Sequence, residues 1–529
     1  MRKAETYKSL QTFRRIGLSS SFVFFVLLVV SFPFWGTNYV GVSLFTASFA
    51  GNYLLTIYTI LRMYSNFGKS NLLLNFYFIS FILLPFIFPF LYFLMWMDKL
   101  SDEAIKKFKE KIKVFQDFEK KTLSPSIYTT LAPYNSDDLD KVIRYNYVSY
   151  QRPLSKNNSI KFVVKPKDHI TCIINLIKRA KKFIHIEYYV FSEGYVFNYI
   201  VQLLSKKVQE GVEVKLIVDG WGNYKKISKR TSERLKSLGI QYRVFNPLFK
   251  KSKELWWNFR NHNKLLIVDN EFALFGSCNI SDEYFNITDK FFPTTELSIV
   301  LEGEIVNSLN LLFAFHWSII KVEKKKEFDM LLSTSHFFPQ AGRKCGNIAL
   351  QLINSSPFSL NQPIKTNLLQ LIFSAKKSIK ISTPYFYPPQ DIVNALRIAD
   401  QLGVRIQIIL PKEADLNDRI LRVHREILSS FYSETIEIYE YFGFNHEKFT
   451  IIDEETVYFG TYNWDYRSFY WNFESALIIK NKEAGLTVNK LFEESKAKSH
   501  RMKDFELVNT RRIFPNIFIG VARWCQAMS

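Results

Sequence analysis

The chain writes one short pattern twice, and any fold it adopts must present both copies. The first is His262-Asn263-Lys264, four further residues, then Asp269; the second is His446-Glu447-Lys448, four residues, then Asp453. In both, a Gly stands fourteen residues after the His (Gly276, Gly460) and an Asn seventeen after it (Asn279, Asn463). One such His-x-Lys-x4-Asp is a weak signal; two with matching offsets are a strong one.

The surrounding sequence repeats as well. A helix over 170–182 leads into a strand over Phe183–Phe191, and a helix over 196–210 into an apolar strand, Val212–Val218, ending at Asp219. The second half follows with a helix to Lys377, the strand Ser378–Phe386, a helix to Leu402 and the strand Val404–Leu410. Ile184-His185-Ile186-Glu187 aligns with Ile379-Lys380-Ile381-Ser382, and Gly211-Val212-Glu213-Val214 with Gly403-Val404-Arg405-Ile406. Strands alternating with helices predict an α/β fold with a largely parallel sheet covered on both faces. The duplication predicts two similar α/β halves packed about a pseudo-twofold axis, and not a solenoid. Each motif continues into an apolar run (Leu265–Val268, Phe449–Ile452), so its His and Lys begin a strand and share a face. Gly276 and Gly460 end the next apolar runs, where a glycine lets backbone approach a ligand closely.

Two imidazoles and two ammonium groups meeting at such an interface suit a phosphoryl group without a metal. One His attacks phosphorus while the other protonates the leaving oxygen, splitting the transfer into two easier steps. Imidazole titrates near neutrality and serves both roles. Lys264 and Lys448, with Asn279 and Asn463, are expected to hold the non-bridging oxygens. A carboxylate on the far ring nitrogen fixes the tautomer, and Asp269 and Asp453 compete for that task with Glu296 and Glu474. No spacing of metal ligands and no dinucleotide or P-loop glycine pattern occurs, so no cofactor or metal is expected.

Upstream lies a hydrophobic block. Gly17–Trp35 is long enough to span a bilayer, a second apolar stretch from about Val40 to Leu61 is broken by Gly51 and Asn52, and a third, Leu72–Met97, is the most apolar. The first is too long for an ordinary signal peptide and lacks a clean cleavage site. The basic arm before it and the Lys-rich sequence after Met97 both favour the cytoplasm. Two spans satisfy both, and the middle stretch is then re-entrant or interfacial; three put one basic flank outside. Residues 1–97 therefore read as a multi-pass anchor, 98–160 as a charged connector and linker, and 161–330 and 331–529 as the two halves. The charged helical sequence after Asp98 fits either an anionic headgroup surface or a solvated connector. Trp256, Trp257 and the apolar, basic residues 511–529 fit interface anchoring or core packing, and His185 a strand position beside Glu187. The 70 Lys+Arg against 49 Asp+Glu, net +21, imply a polyanionic partner. The hydrophobic block directs that choice to anionic membrane lipids and away from nucleic acid. Four scattered cysteines read as reduced thiols of a cytoplasmic domain.

The doubled motif resembles that of the phospholipase D superfamily, and the wider context resembles bacterial cardiolipin synthases. The resemblance rests on Phe183-Ile184-His185-Ile186-Glu187-Tyr188-Tyr189, Arg260-Asn261-His262-Asn263-Lys264, and Gly276-Ser277-Cys278-Asn279-Ile280. In the second half it rests on Thr383-Pro384-Tyr385-Phe386-Tyr387-Pro388, Asn463-Trp464-Asp465-Tyr466-Arg467-Ser468, and Asn472-Phe473-Glu474. It implies a cell-membrane enzyme that moves a phosphatidyl group from phosphatidylglycerol to a histidine, releasing glycerol, and then to a second phosphatidylglycerol. It implies His262 as nucleophile and His446 as general acid/base, with Glu187, Ser277 and Thr461 among the supporting residues. The chain departs from the family at Phe291-Phe292-Pro293-Thr294-Thr295-Glu296, where a Trp-Arg-Asp-Thr-His-like stretch is usual. A hydrolytic phospholipase D is the neighbouring reading. A nuclease fits the charge but not the anchor, and a non-catalytic lipid-binding protein fits poorly because both motifs keep His, Lys and Asp.

Overall fold

The computed structural model describes residues 39–64, 102–122, 138–248, 258–320, 345–359, 361–412 and 435–502, with short stretches within 19–32, residues 78–81, and single residues at 255 and 428. The chain divides into two compact units. One comprises residues 1–108, 253–256 and 513–529, the other residues 109–252 and 257–512.

In the first unit, α1 (Tyr39–Tyr64) includes Tyr39–Leu61, a segment long and apolar enough to cross a membrane. The hydroxyls of Ser48, Thr56 and Thr59 donate to the carbonyls of Leu44, Asn52 and Leu55, at 2.7, 2.9 and 2.7 Å, so these three are satisfied within the helix without water. Among the described residues, the stretch with a re-entrant alternative forms the helix of spanning length. Residues 19–27 are also helical. Part of the expected span Gly17–Trp35 and nearly all of Leu72–Met97 lie outside the described residues, as do Trp256, Trp257 and residues 511–529.

The charged period after Met97 forms α2 (Asp102–Thr122). The expected linker over 122–160 is corrected towards its end: α3 (Asp138–Tyr150) and β1 (Leu154–Val163) occupy it. Its polar composition misleads because those groups are buried and paired. The Asn146 amide, for example, donates to Gln351 at 2.9 Å and Asn367 at 2.7 Å.

From there the chain alternates through α4 (Pro166–Arg179), β2 (Phe183–Tyr188), α5 (Tyr195–Gln209), β3 (Glu213–Asp219), α6 (Lys229–Ser237) and β4 (Gln241–Phe245). It continues with β5 (Arg260–Asn261), β6 (Lys264–Val268), β7 (Phe272–Gly276), β8 (Thr294–Thr295), β9 (Ser298–Gly303) and α7 (Ile305–Ile320). The later elements are β10 (Ile348–Ser355), α8 (Pro363–Ser374), β11 (Ser378–Ser382), β12 (Phe386–Tyr387), α9 (Gln390–Gln401), β13 (Arg405–Pro411) and β14 (Ile436–Tyr441). Last come β15 (Phe444–Asn445), β16 (Phe449–Ile452), β17 (Thr456–Gly460), β18 (Trp464–Asp465), α10 (Tyr466–Tyr470), β19 (Asn472–Lys480), α11 (Lys482–Ala497) and β20 (Ser499–Arg501).

The main sheet runs β20-β14-β13-β11-β16-β17-β19-β10-β1-β9-β7-β6-β2-β3-β4. Only β2–β3, β3–β4, β11–β13 and β13–β14 are parallel neighbours along it; the others are antiparallel, which corrects the largely parallel expectation. The reason lies in the motifs, each of which opens a tight hairpin. Asp269 and Asn270 have φ of 54° and 58°, and Asp453 and Glu454 of 52° and 62°. Positive φ at both central residues matches the right-handed twist of paired strands, and Asp tolerates it better than most residues. The glycine expectation is corrected too. A Cβ on Gly276 would lie 2.5 Å from the Leu297 carbonyl oxygen, and one on Gly460 2.2 Å from that of Ser475. Each glycine admits a neighbouring strand and not a ligand.

Two apolar cores cover the sheet. One gathers Ile177, Ile184, Phe197, Leu216 and Leu266 and the other Leu368, Ile379, Leu396, Ile408 and Tyr458. His185 packs in the strand as expected, stacked 4.4 Å from Phe313 with Nδ1 2.8 Å from Asn310 Oδ1.

Candidate active site

The short strands before each histidine decide the site. β5 pairs in parallel with the start of β19 (Arg260 opposite Asn472, Asn261 opposite Phe473), and β15 pairs with β8 (Phe444 opposite Thr294, Asn445 opposite Thr295). The backbone N–H of His262 donates to Phe473 and that of His446 to Thr295, both at 3.0 Å. One residue further along each ladder, His262 meets Glu474 and His446 meets Glu296. Nδ1 of His262 lies 2.9 Å from Glu474 Oε1, and Nδ1 of His446 lies 2.7 Å from Glu296 Oε1. The carboxylates are therefore exchanged between the two motifs.

Of the four carboxylates the sequence offered, Glu474 and Glu296 face the two rings, and Asp269 and Asp453 bond elsewhere. Asp269 accepts the backbone N–H groups of Lys181, Lys182 and Phe183 at 2.7–2.8 Å. Asp453 accepts those of Lys376, Lys377 and Ser378 at 2.7–2.9 Å. Each pins the start of a neighbouring strand to a hairpin. Asp269→Asn is expected to lower stability by about 1–3 kcal/mol, the order of an unmet charged acceptor. It should change kcat only a few-fold, which thermal unfolding and turnover measured together will check.

Lys264 and Lys448 donate to the carbonyls of their own histidines, at 2.6 and 2.8 Å. Burial, and then the charge of Lys448, pushes Lys264 well below the ordinary lysine range. Burial also lowers both histidines, His262 to about 4 and His446 well below its ordinary value. Lys264, Lys448 and His262 all act on His446, so the four groups share one electrostatic neighbourhood. An anion between the lysines offsets their repulsion.

The two carboxyls differ. Glu474 accepts Thr461 Oγ1 at 2.6 Å, Ser468 Oγ at 2.9 Å and Asn472 Nδ2 at 3.0 Å besides His262. Burial raises it, but His262, then the Lys264 charge and the Thr461 hydroxyl, bring it below its ordinary value. Glu296 accepts Ser277 Oγ, and burial pushes it up to about 8. Ser277 and Thr461 thus sit on the carboxyls.

Three expected residues remain. Asn279 Oδ1 accepts the Val190 N–H at 3.3 Å. Asn463 Oδ1 is buried with no hydrogen-bond partner among the described residues. Glu187 lies behind the first motif, where Oε1 takes His316 Nδ1 at 2.6 Å and the Asn261 amide. Sequence reasoning named Ser468, Asn472 and Tyr189 without giving them a role, and missed Tyr284; the rings of Tyr189 and Tyr284 lie 4.9 and 5.1 Å from His262 and His446. It also missed the asparagine before each histidine, although its repetition (Asn261, Asn445) was readable. Asn261 Oδ1 accepts the Asn263 N–H at 3.1 Å and Asn445 Oδ1 that of Glu447 at 3.2 Å. Among the described residues, no group of three or more His, Cys, Asp or Glu side chains has the arrangement of a metal site. Cys172, Cys278 and Cys345 are free thiols, and Cys525 lies outside the described residues.

Comparison with known proteins agrees with this chemistry. Residues 173–307 and 368–496 match the family described as cardiolipin synthase, PLD-like domain. The cardiolipin synthase of Clostridium perfringens strain SM101 is 31% identical over 412 residues, 77% of this chain and 84% of that protein. Cardiolipin synthase 1 of Staphylococcus aureus strain MRSA252 is 29% identical over 67% of this chain and 71% of its own length. In fold, the chain resembles the phosphatidylserine synthase of Haemophilus influenzae Rd KW20, with a TM-score of 0.57 and 15% identity, over 73% of this chain and 98% of that one.

Proposed function

Since the chain belongs to the cardiolipin synthases of the phospholipase D superfamily, we propose that its two His-Lys motifs move a phosphatidyl group between two phosphatidylglycerol molecules. The enzyme is a phosphatidyltransferase of phospholipid biosynthesis. His262 Nε2 attacks the donor phosphorus, the bond to the glycerol oxygen breaks, and His446 Nε2 gives that oxygen its proton. A hydroxyl of the second phosphatidylglycerol then returns a proton to His446 and attacks phosphorus, and the P–N bond breaks to leave cardiolipin. Lys264 and Lys448 balance the charge on the non-bridging oxygens, with the amides of Asn279 and Asn463 as further polar groups there.

The observation that carries this reading is the crossed pairing of His262 with Glu474 and His446 with Glu296. It also supports the division of roles. An ionised Glu474 takes Nδ1–H of His262 and leaves the Nε2 lone pair for attack. A protonated Glu296 donates to Nδ1 of His446 and leaves the proton on Nε2, the form a general acid needs. When Nε2 gives up that proton, Nδ1 takes one from Glu296, and the second step reverses both transfers. Ser277 and Thr461 hold the carboxyls, and Glu187 steadies the first motif through Asn261.

The same reading divides the α/β region into a pair of phospholipase D-like halves about a pseudo-twofold axis. Outward from the β1–β10 pair the order is β9-β7-β6-β2-β3-β4 on one side and β19-β17-β16-β11-β13-β14 on the other, which supports it. The halves then begin near β1 and β10. The N-terminal hydrophobic block makes a multi-pass anchor in the cell membrane with the site on the cytoplasmic side, and α1 supports one of its spans. Purified protein given phosphatidylglycerol should release cardiolipin and glycerol in equal amounts. Phosphatidic acid as the sole lipid product would replace the transferase reading with a hydrolase.

A further inference from the structure

The loop after β3 is anchored to the catalytic histidine from two sides. Asp219 accepts the N–H of Asn261, the residue before His262, at 2.9 Å, and those of Trp221 and Gly222 at 2.7 and 3.0 Å. Asn223 donates to the carbonyl of Tyr189 at 2.8 Å and accepts the N–H of Phe191 at 2.8 Å, and the Tyr189 ring lies 4.9 Å from that of His262. The loop is also tied to the start of α5, since Glu193 accepts the Ser228 N–H at 2.7 Å and its own N–H donates to Lys226 at 3.1 Å. α5 in turn begins on Asp282, which accepts the Tyr195 N–H at 2.8 Å.

On this braced platform large aromatic side chains face outward. Tyr195 is 80% exposed, Trp221 49%, Tyr224 46% and Tyr199 45%. Tyr195 and Tyr199 are four residues apart in α5 and so share its outer face. The fold does not demand them. The helix in the corresponding place, α9, begins with Gln390 and has Asn394 at the later position, both exposed. Exposed cations surround the aromatics: Lys225, Lys226, Lys229, Arg230 and Arg234, against the carboxylates of Glu193 and Glu233. Tyr and Trp with an apolar body and a polar tip, interleaved with Lys and Arg, match the boundary between headgroups and acyl chains of an anionic bilayer.

We propose that this face, Tyr195, Tyr199, Trp221 and Tyr224 with their flanking cations, docks on the anionic phospholipid surface and presents lipid headgroups to His262. The inference rests on the phosphatidyl-transfer reading, because it gives the substrate membrane its place against the site. Positive charge raises the local density of phosphatidylglycerol, and the aromatic rings set the depth at which the loop sits. Rigid ties to Tyr189 and Asn261 keep that depth in register with the imidazole.

The test uses the full chain reconstituted in bilayers of phosphatidylglycerol diluted with phosphatidylcholine. A Trp221→Ser/Tyr224→Ser variant and a Lys225→Glu/Lys229→Glu variant are compared with the parent. Each should need a higher mole fraction of phosphatidylglycerol for half-maximal synthesis, by roughly tenfold for the charge reversal. Salt at about 0.5 M should erase the charge effect and spare the aromatic one. On short-chain phosphatidylglycerol dispersed below its micelle threshold, both losses should shrink. Unchanged mole-fraction curves in both variants overturn the docking face. So does an equal loss on dispersed lipid, which would make the loop a piece of the site only, and so does a shift from dimer to monomer in detergent, which would give the face to a second copy of the chain. A parent enzyme that makes no cardiolipin overturns the transfer reading itself.

Discussion

Alanine at His262 is expected to lower cardiolipin synthesis by ~10⁴-fold or more, and alanine at His446 by a similar factor, because nucleophile and general acid act as one unit. The two variants should nonetheless leave different species behind. A phosphatidyl ester of nitrophenol needs no protonation of its leaving group. With it, His446→Ala should still release one nitrophenolate per chain in a burst and hold the phosphatidyl group on His262. His262→Ala should give no burst. The distinction follows from the geometry: four groups, His262 included, donate to Glu474, which keeps it ionised, whereas Glu296 is buried with Ser277 and His446. A burst from His262→Ala and none from His446→Ala would reverse the assignment.

Glu474→Gln and Glu296→Gln should separate just as clearly. An amide at 474 removes the charge that faces an imidazolium and loosens control of the tautomer, so about 10⁴-fold is expected to be lost from kcat, as for the third member of a hydrolytic triad. An amide at 296 still presents an N–H to Nδ1 of His446, as the protonated carboxyl does, but has no proton to pass to it, and about 10²-fold should be lost. The pH profile carries the sharper signature. With Glu296 at about 8, the donating form of the pair disappears as pH rises through that value, so the parent rate falls on the alkaline side. Glu296→Gln has no proton to lose there, and the alkaline fall should vanish. The sign for stability is the same. A carboxyl raised in the folded chain stabilises fully only below its ordinary pKa, since the unfolded chain releases that proton first as pH rises. Glu296→Gln should therefore unfold at a higher temperature than the parent at pH 8. An unaltered alkaline limb would remove Glu296 from the proton path.

Much of this was legible in the residues. The strands at Phe183, Val212, Ser378 and Val404, and the helices before them, follow from apolar period and the punctuation of Gly211 and Gly403, and all of these elements form. The matched offsets of Gly276 with Gly460 and Asn279 with Asn463 disclosed the duplication and the candidate groups around two histidines. Strand direction was not legible, because alternating strands and helices look alike whether a hairpin such as Lys264–Gly276 intervenes or not. Residues 138–160 read as a linker because buried asparagines and glutamines have the composition of a loop until their partners are seen.

What the sequence determined by itself was the inventory: two His-Lys motifs, asparagines and carboxylates at set offsets from them, a duplicated α/β pattern and an apolar N-terminal block. Those are properties of local spacing and composition, which the chain carries in any conformation. Tertiary structure alone decided which carboxylate serves which ring. Asp269 lies seven residues from His262 and Glu474 lies 212 away, yet the near one turns back to three backbone N–H groups and the distant one meets the imidazole. The register of β5 on β19 and of β15 on β8 makes that choice, and a register between remote strands is set by the packing of the whole sheet.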